Sequence, residues 1–411
     1  MAVEFEIAVV GAGAAGLMAA IAAAERGRRV LLLEKNRRPG VKILMSGGTR
    51  CNITQNTDNR GIVAEYGRSG SFLHSALAAF SVEDTLEFFH AEGVATKVEE
   101  TGKIFPVSDR ALDVLNAIWR RLQRSSAILA LGEPLVDLNL TTDGFVLTTP
   151  RRSLHAGRVI LTTGGMSYPG SGTTGDGYRI AAKFGHTIVP PRPALVPITT
   201  SEPWVKSIQG VTLPDVRLRV LDGSSCLVER RGSLLFAHFG LTGPVALDVS
   251  RVVSGHSAPA TLALEIDLLP GDSEPEVDRW LQTESLAEGR KHLATILANR
   301  LPHRLAEVLL SLSQQAVDRR AAGLSRGDRQ ALVRSIKRLR VPITGTLGFE
   351  KAEVTAGGVA LDEVDSRDMQ SKRQRGLFIA GELLDLDGPI GGFNFQAAWS
   401  TGWLAGMKAG D

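Results

Sequence analysis

Polarity along the first forty residues changes in a fixed order. An apolar run, Phe5-Glu6-Ile7-Ala8-Val9-Val10, breaks at glycine. An Ala-rich stretch free of charge follows to Ala24, and a second apolar run, Val30-Leu31-Leu32-Leu33, ends at Glu34. Short apolar runs bounded by turn residues read as buried strands, and the alanines favour a helix, so the pattern predicts strand, turn, helix, strand. Alternating strands and helices continue to Val159-Ile160-Leu161-Thr162-Thr163-Gly164-Gly165, which argues for a sheet with helices packed on it. The prolines of Pro190-Pro191-Arg192-Pro193 and Pro197 mark a boundary. Beyond them Val216–Val220 and Leu262–Ile266 alternate as strands do, and from about Pro275 to Leu339 the period turns helical, with Leu301, Leu305, Leu309 and Leu312 on one face. Short strands return at 352–354 and 377–380, before a glycine-rich turn and a helix beginning near Gln396. The expected organisation is a nucleotide domain in two parts, 1–189 and 345–411. Between them lies an insertion, 190–344, that is β-rich over 190–272 and helical over 273–344.

The first turn carries the chemistry. In Gly11-Ala12-Gly13-Ala14-Ala15-Gly16 the first glycine permits a tight turn, the second lets backbone N–H groups approach a pyrophosphate, and the third lets helix and strand pack closely. Glu34, with Lys35 beside it, sits where a carboxylate accepts hydrogen bonds from an adenosine ribose. The bland alternative is an ordinary glycine turn, but strand, helix, second strand and acid all fall at the spacing of a dinucleotide site. A second glycine-rich region follows a strand at Gly381-Glu382 and continues through Gly391-Gly392-Phe393-Asn394-Phe395 into a helix. Helix amino-terminal N–H groups there would stabilise negative charge at N1 and C2=O of a reduced flavin, and Glu382 would hold ribityl hydroxyls. Thr163-Gly164-Gly165 is glycine-rich but does not repeat the first motif, so no separate nicotinamide domain is expected and FAD fits better than NAD. Between these regions the segment Gly40–Thr54 packs glycines, hydroxyls and cations: Lys42, Ser46, Gly47, Gly48, Arg50, Cys51 and Asn52. Such a loop can lie against a ligand plane; otherwise it is a surface turn.

Composition narrows the picture further. With 411 residues, 43% of them hydrophobic, the chain can bury a sizeable core. The uncharged run Ile7–Ala24 follows two acids and holds the nucleotide glycines, so neither a targeting segment nor a membrane span is expected. Two cysteines far apart, Cys51 and Cys226, argue against a dithiol or zinc site and for a reducing cytoplasm. No metal is expected. The net charge of +3 is uneven: between Arg290 and Arg340 twelve basic residues face three acids. That stretch reads either as a solvated helical surface or as a face for an anionic ligand or RNA.

Four motifs then carry a resemblance: Ser46-Gly47-Gly48-Thr49-Arg50-Cys51-Asn52; Met166-Ser167-Tyr168-Pro169 with Gly175-Asp176-Gly177-Tyr178; His238-Phe239-Gly240-Leu241-Thr242-Gly243-Pro244; and Ala380-Gly381-Glu382 through Gly391–Gln396. Together, over nearly the whole chain, they resemble the YhiN/BaiN-like flavoproteins. The resemblance implies an α/β fold, a Rossmann-type FAD-binding domain split by an inserted β-barrel-like domain with a helical portion, together with noncovalent FAD and hydride chemistry. Where this chain has Thr49 the family usually shows a third glycine. Arg50, Cys51 and His238 are the expected catalytic residues; the alternative is a packing role for Cys51, as for Tyr168, and for His238 a ring satisfied by backbone hydrogen bonds beside its turn. The expected activity is NAD(P)H-dependent reduction of a C=C bond, with uridine in ribosomal RNA or a small enone as substrate. An amine oxidase using oxygen, with relatives acting on aminoacetone as precedent, and an RNA-binding factor with incidental flavin are the alternatives.

Overall fold

The structure, a computed structural model, describes residues 3–411. It divides into two compact units: 1–193 with 353–411, and 194–352.

In the first unit the parallel strands are β1 (Phe5–Val10), β2 (Val30–Glu34), β3 (Ile128–Leu131), β6 (Ser153–Leu161) and β7 (Leu377–Ile379); β4 (Asp137–Thr141) and β5 (Gly144–Thr148) form an antiparallel hairpin on β6. Among the described residues they make one seven-stranded sheet in the order β3-β2-β1-β6-β5-β4, with β7 also on β6. β1 leads through helix α1 (Ala14–Ala24) to β2 on one side, while β6 lies on its other side. The chain therefore winds in opposite senses from the β1/β6 line, and in open parallel sheets ligands bind beyond the carboxyl ends of strands at such a reversal. β1, β2, β7 and the last three residues of β6, Val159–Leu161, are almost wholly apolar, as strands covered on both faces must be.

The last helix, α2 (Phe393–Gly410), lies on α1. A Cβ on Gly402 would fall 2.2 Å from the Ala15 carbonyl oxygen, and one on Gly406 2.2 Å from that of Ala19. Both contacts step forward by four residues in each helix, so α1 and α2 run parallel and their amino ends face the same edge of the sheet.

The proline run sits in a strand, Ile188–Ala194, paired with Val354–Val359 in a two-stranded sheet. Proline lacks an N–H for the ladder but is tolerated where a strand has a free edge.

The second unit holds a seven-stranded sheet among the described residues, in the order Leu339–Pro342, Leu262–Asp267, Thr212–Asp222, Ser225–Ala237, Gly240–Thr242, Ile198–Thr199, Gly345–Thr346. Its two edge strands are consecutive in the chain. Ile343 and Thr344 carry the backbone across, the N–H of Ile343 donating to Leu262 O (3.1 Å) on one edge and that of Thr344 to Thr199 O (2.9 Å) on the other. Residues three apart span at most roughly 11 Å, so the sheet curls into a barrel closed by this link. Helix Pro244–Gly255 packs Val245, Val249 and Val253 into the same core as Leu218, Leu234 and Phe236. Helices 274–287, 293–297, 303–312 and 326–337 form the helical portion.

Gly402→Ala tests the interhelical contact. Helix propensity alone favours alanine by about 1 kcal/mol, but the added methyl meets backbone, and such overpacking costs roughly 1–3 kcal/mol. Packing is expected to win, giving a lower urea midpoint with unchanged m-value.

Candidate functional site

Three strand ends converge at the carboxyl edge of the first unit's sheet. β1 ends at Gly11, whose φ of +99° and close neighbour, Thr162 O at 2.6 Å from an added Cβ, both demand glycine. Thr162, just past β6, donates its hydroxyl to Val10 O and Gly11 O at 2.9 and 3.0 Å, stitching the two strand ends together. A Cβ on Gly16 would lie 1.8 Å from Gly11 O, so this glycine brings the helix against the turn. Gly13 is different: a Cβ there meets nothing within 4 Å. It caps α1 without a side-chain hydrogen bond, so the orphan N–H groups of the first turn face open space. Glu34 is buried and accepts from Ala12 N–H (2.7 Å) and Asn36 N–H (2.8 Å), one bond to each carboxylate oxygen.

The second amino end is α2's. Gly391 and Gly392 both have positive φ, and a Cβ on Gly392 would fall 2.6 Å from the Thr54 carbonyl. The Asn394 side chain closes the preceding turn, accepting from Gly388 N–H at 2.8 Å and donating to the carbonyls of Gly388 (3.0 Å) and Pro389 (3.2 Å). Phe393 is buried, its carbonyl receiving the Tyr66 hydroxyl at 3.0 Å, and Phe395 stacks on Trp399. These three side chains brace the turn, leaving its backbone as the part a ligand would meet.

Glu382 is a junction. It accepts from Lys42 Nζ (2.6 Å), Ser167 Oγ (2.7 Å) and Thr355 N–H (2.8 Å), drawing together segments after Gly40, after β6 and before β7. The Thr355 hydroxyl in turn accepts from the N–H groups of Met166 and Ser167, and a Cβ on Gly165 would strike it at 2.4 Å. Gly164 has φ +72° against Thr173. Lys35 donates to Asp176 and Thr174, each at 2.6 Å. Both lysines are thus held by protein acids at this edge.

The glycine-rich segment after Met45 turns through the left-handed region: Gly47, Gly48, Thr49 and Cys51 have φ of 55°, 67°, 70° and 62°. The Ser46 hydroxyl donates to Ile43 O at 2.8 Å. Arg50 pairs with Glu99 at 2.7 Å and lies over the Phe105 ring, 4.0 Å from its centroid. Cys51 is fully buried in the apolar core, and that burial pushes its thiol up to about 12, holding it protonated. The Asn52 side chain is buried with Oδ1 unpartnered; the hydroxyls of Thr163 and Tyr178 and Oε1 of Gln55 share that condition. Gln55 lies in no glycine motif, and Thr355, which opens Thr355-Ala356-Gly357-Gly358, meets Glu382 and the Gly165–Ser167 turn only in the fold.

His238 belongs to the second unit, exposed at the turn between Ser225–Ala237 and Gly240–Thr242, with the Phe239 ring edge-on at 4.9 Å. Six of the twelve basic residues between Arg290 and Arg340 pair with acids from outside that window. Lys337 pairs with Asp267, Arg300 with Asp272, Arg338 with Glu274, Arg329 with Asp278, Arg340 with Glu265 and Lys291 with Glu288. Arg290, Arg326 and Arg334 have no ion pair among the described residues. No helix of the described residues is long and apolar enough to cross a membrane.

Comparison with known proteins bears on this geometry. The profile of the family described as HI0933-like protein Rossmann domain matches residues 5–408. The chain is 34% identical over 403 residues to the ribosomal RNA dihydrouridine synthase of Escherichia coli (strain K12), covering 97% of this chain and 96% of that protein. It is 33% identical over 408 residues to a 3-dehydro-bile acid delta(4,6)-reductase of Clostridium scindens, covering 98% and 99%. Among solved structures, a 3-ketosteroid-delta4-(5alpha)-dehydrogenase from Rhodococcus jostii RHA1 in complex with 4-androstene-3,17-dione matches with a TM-score of 0.55. That match has 14% identity and covers 100% of this chain and 98% of that one, a likeness of fold.

Thr49→Gly is expected to stabilise the protein. A non-glycine residue in the left-handed region costs about 1–2 kcal/mol, and glycine gives back about 0.4–1 kcal/mol of that through the unfolded state. A net gain of about 0.5–1 kcal/mol should appear in denaturant unfolding.

Proposed function

This chain belongs to the HI0933-like family of Rossmann flavoproteins, FAD-dependent oxidoreductases, and we propose that it reduces a conjugated C=C bond, that of uridine in ribosomal RNA, with NAD(P)H as reductant. The observation that carries the reading is the parallel pair α1 and α2, two helix ends without side-chain caps at one sheet edge, beside buried polar atoms that lack partners. An adenine dinucleotide bearing a flavin has a diphosphate for one such end and a pyrimidine carbonyl for the other.

In this reading the open face at Gly13 and the first N–H groups of α1 hold the diphosphate. Glu34 keeps a lone pair on each oxygen for the adenosine ribose. The Gly391–Gly392 turn and the amino end of α2 hold the flavin's pyrimidine edge, with the backbone of Ser46–Asn52, Asn52 Oδ1 and the Thr163–Gly165 turn completing the cradle. Lys42 is fixed by Glu382 and Ser167, and its charge is matched by Glu382, so the amino end of α2 would carry the stabilisation of an anionic reduced flavin. The chemistry bound flavin supplies is hydride transfer from a nicotinamide to an electron-poor carbon. Arg50 and His238 are proposed to meet substrate; Cys51, protonated and buried, serves as packing.

Uridine's C5=C6 bond is conjugated with its C4 carbonyl, as the double bond of an enone is, which reconciles the names of the two relatives. RNA is favoured because a polyanion needs cations without acid partners, and Arg290, Arg326 and Arg334 supply them. The bile acid reductase, at nearly equal identity, supports a small enone as the second reading. A ribosomal RNA substrate places the enzyme in the cytoplasm.

Anaerobic titration of the purified yellow protein with NADH and NADPH, followed at the flavin band, tests the reading. Bleaching by a nicotinamide and recovery on uridine-containing RNA, with two hydrogens gained per modified uridine, is expected. Recovery on an enone but not on RNA transfers the assignment to the second reading, and a band untouched by both nicotinamides removes the NAD(P)H step. Gly13→Asp separates site from fold. Aspartate is a favoured helix cap and has room here, so thermal stability should hold or rise, while its carboxylate, taking the diphosphate's place, should weaken FAD binding more than tenfold on equilibrium dialysis.

A further inference from the structure

Gln55 lies in a socket built of glycine. Its Nε2 donates to Thr101 O at 2.9 Å. A Cβ on Gly102, where φ is +78°, would stand 2.4 Å from that nitrogen, so the position admits the amide because it carries no side chain. At the other end Oε1 is buried without a partner, 3.3 Å from where Gly391, with φ +137°, would carry its Cβ. The Thr101 bond fixes which way the amide faces, since exchanging its ends would set two acceptor oxygens against each other. The result is an acceptor, fixed in direction, buried beside the turn that leads into α2, and missing its donor. A buried acceptor left unmade costs about 1–3 kcal/mol.

The proposed ligands differ in whether they can supply that donor. Flavin's pyrimidine ring and uracil both carry an N–H flanked by two carbonyls; a steroid enone ring carries none. We propose that Gln55 Oε1 accepts the hydrogen bond of an imide N–H, making Gln55 a recognition residue for the flavin or for the uracil substrate. The inference rests on the flavin reductase reading above.

Gln55→Met keeps the side-chain length and removes the acceptor. It should be compared with wild type for FAD dissociation constant, flavin absorbance and, anaerobically, KM for uridine-containing RNA and for a small enone. If the partner is flavin, FAD binding weakens about tenfold and the visible band shifts. If it is uracil, FAD affinity and band hold while KM for RNA rises about tenfold and KM for the enone does not. Either result supports the assignment; a folded variant that moves none of these overturns it. Should Gln55→Met fail to fold, wild type is challenged with 3-methyl-FAD and with RNA carrying 3-methyluridine, which lack the imide hydrogen. A loss of about tenfold for one of them is expected, and undiminished affinity for both overturns the proposal. Wild type that binds no FAD instead refutes the underlying reading.

Discussion

The backbone-to-backbone approach of α1 and α2 is the constraint on which the first unit depends. Gly402 and Gly406 let one helix rest on the carbonyls of the other at Ala15 and Ala19. Larger side chains would hold the axes farther apart, and the amino ends would no longer share one edge of the sheet. The same economy operates within the nucleotide turn, where Gly16 approaches Gly11 and Thr162 ties β6 to β1. A site for a long, rigid ligand is thus defined by distances between backbones, which vary less than side-chain positions do.

Carboxylates then fix the loops that those backbones leave open. Glu34 holds the nucleotide turn to the end of β2, and Glu382 holds three segments remote in sequence. A carboxylate withdrawn from water, wholly at Glu34 and partly at Glu382, is tolerable when donors surround it, and these donors are mostly backbone N–H groups and hydroxyls that would themselves be orphans. Each acid therefore organises a strand end and satisfies the polar groups that strand ends expose.

Much of this was legible before the fold was seen. The Gly11–Gly16 turn, Glu34 and the alternation of strands and helices depend on neighbours within about thirty residues, and local pattern reports such neighbours well. The Lys42–Glu382 pair lies beyond that reach, because its members meet only after the sheet is assembled. The basic stretch shows the same limit from the other side. Its charge excess is a property of residues 290–340 alone, whereas the fold recruits Glu265, Asp267, Asp272, Glu274, Asp278 and Glu288 from outside that range. Gln55 was illegible for another reason: its interest lies in an absent partner, and absence has no sequence signature.

The placement of β7 and α2 at the far end of the chain has a consequence for synthesis. Ribosomes release residues in order, at ~5–20 per second, so α1 emerges long before the helix that covers it. The barrel unit, continuous in the chain, is complete while β6 still lacks β7 and the small-residue face of α1 is bare. For roughly 3–12 s the nascent protein carries a finished insert inside an unfinished host, and the cofactor cradle cannot form before α2 has emerged.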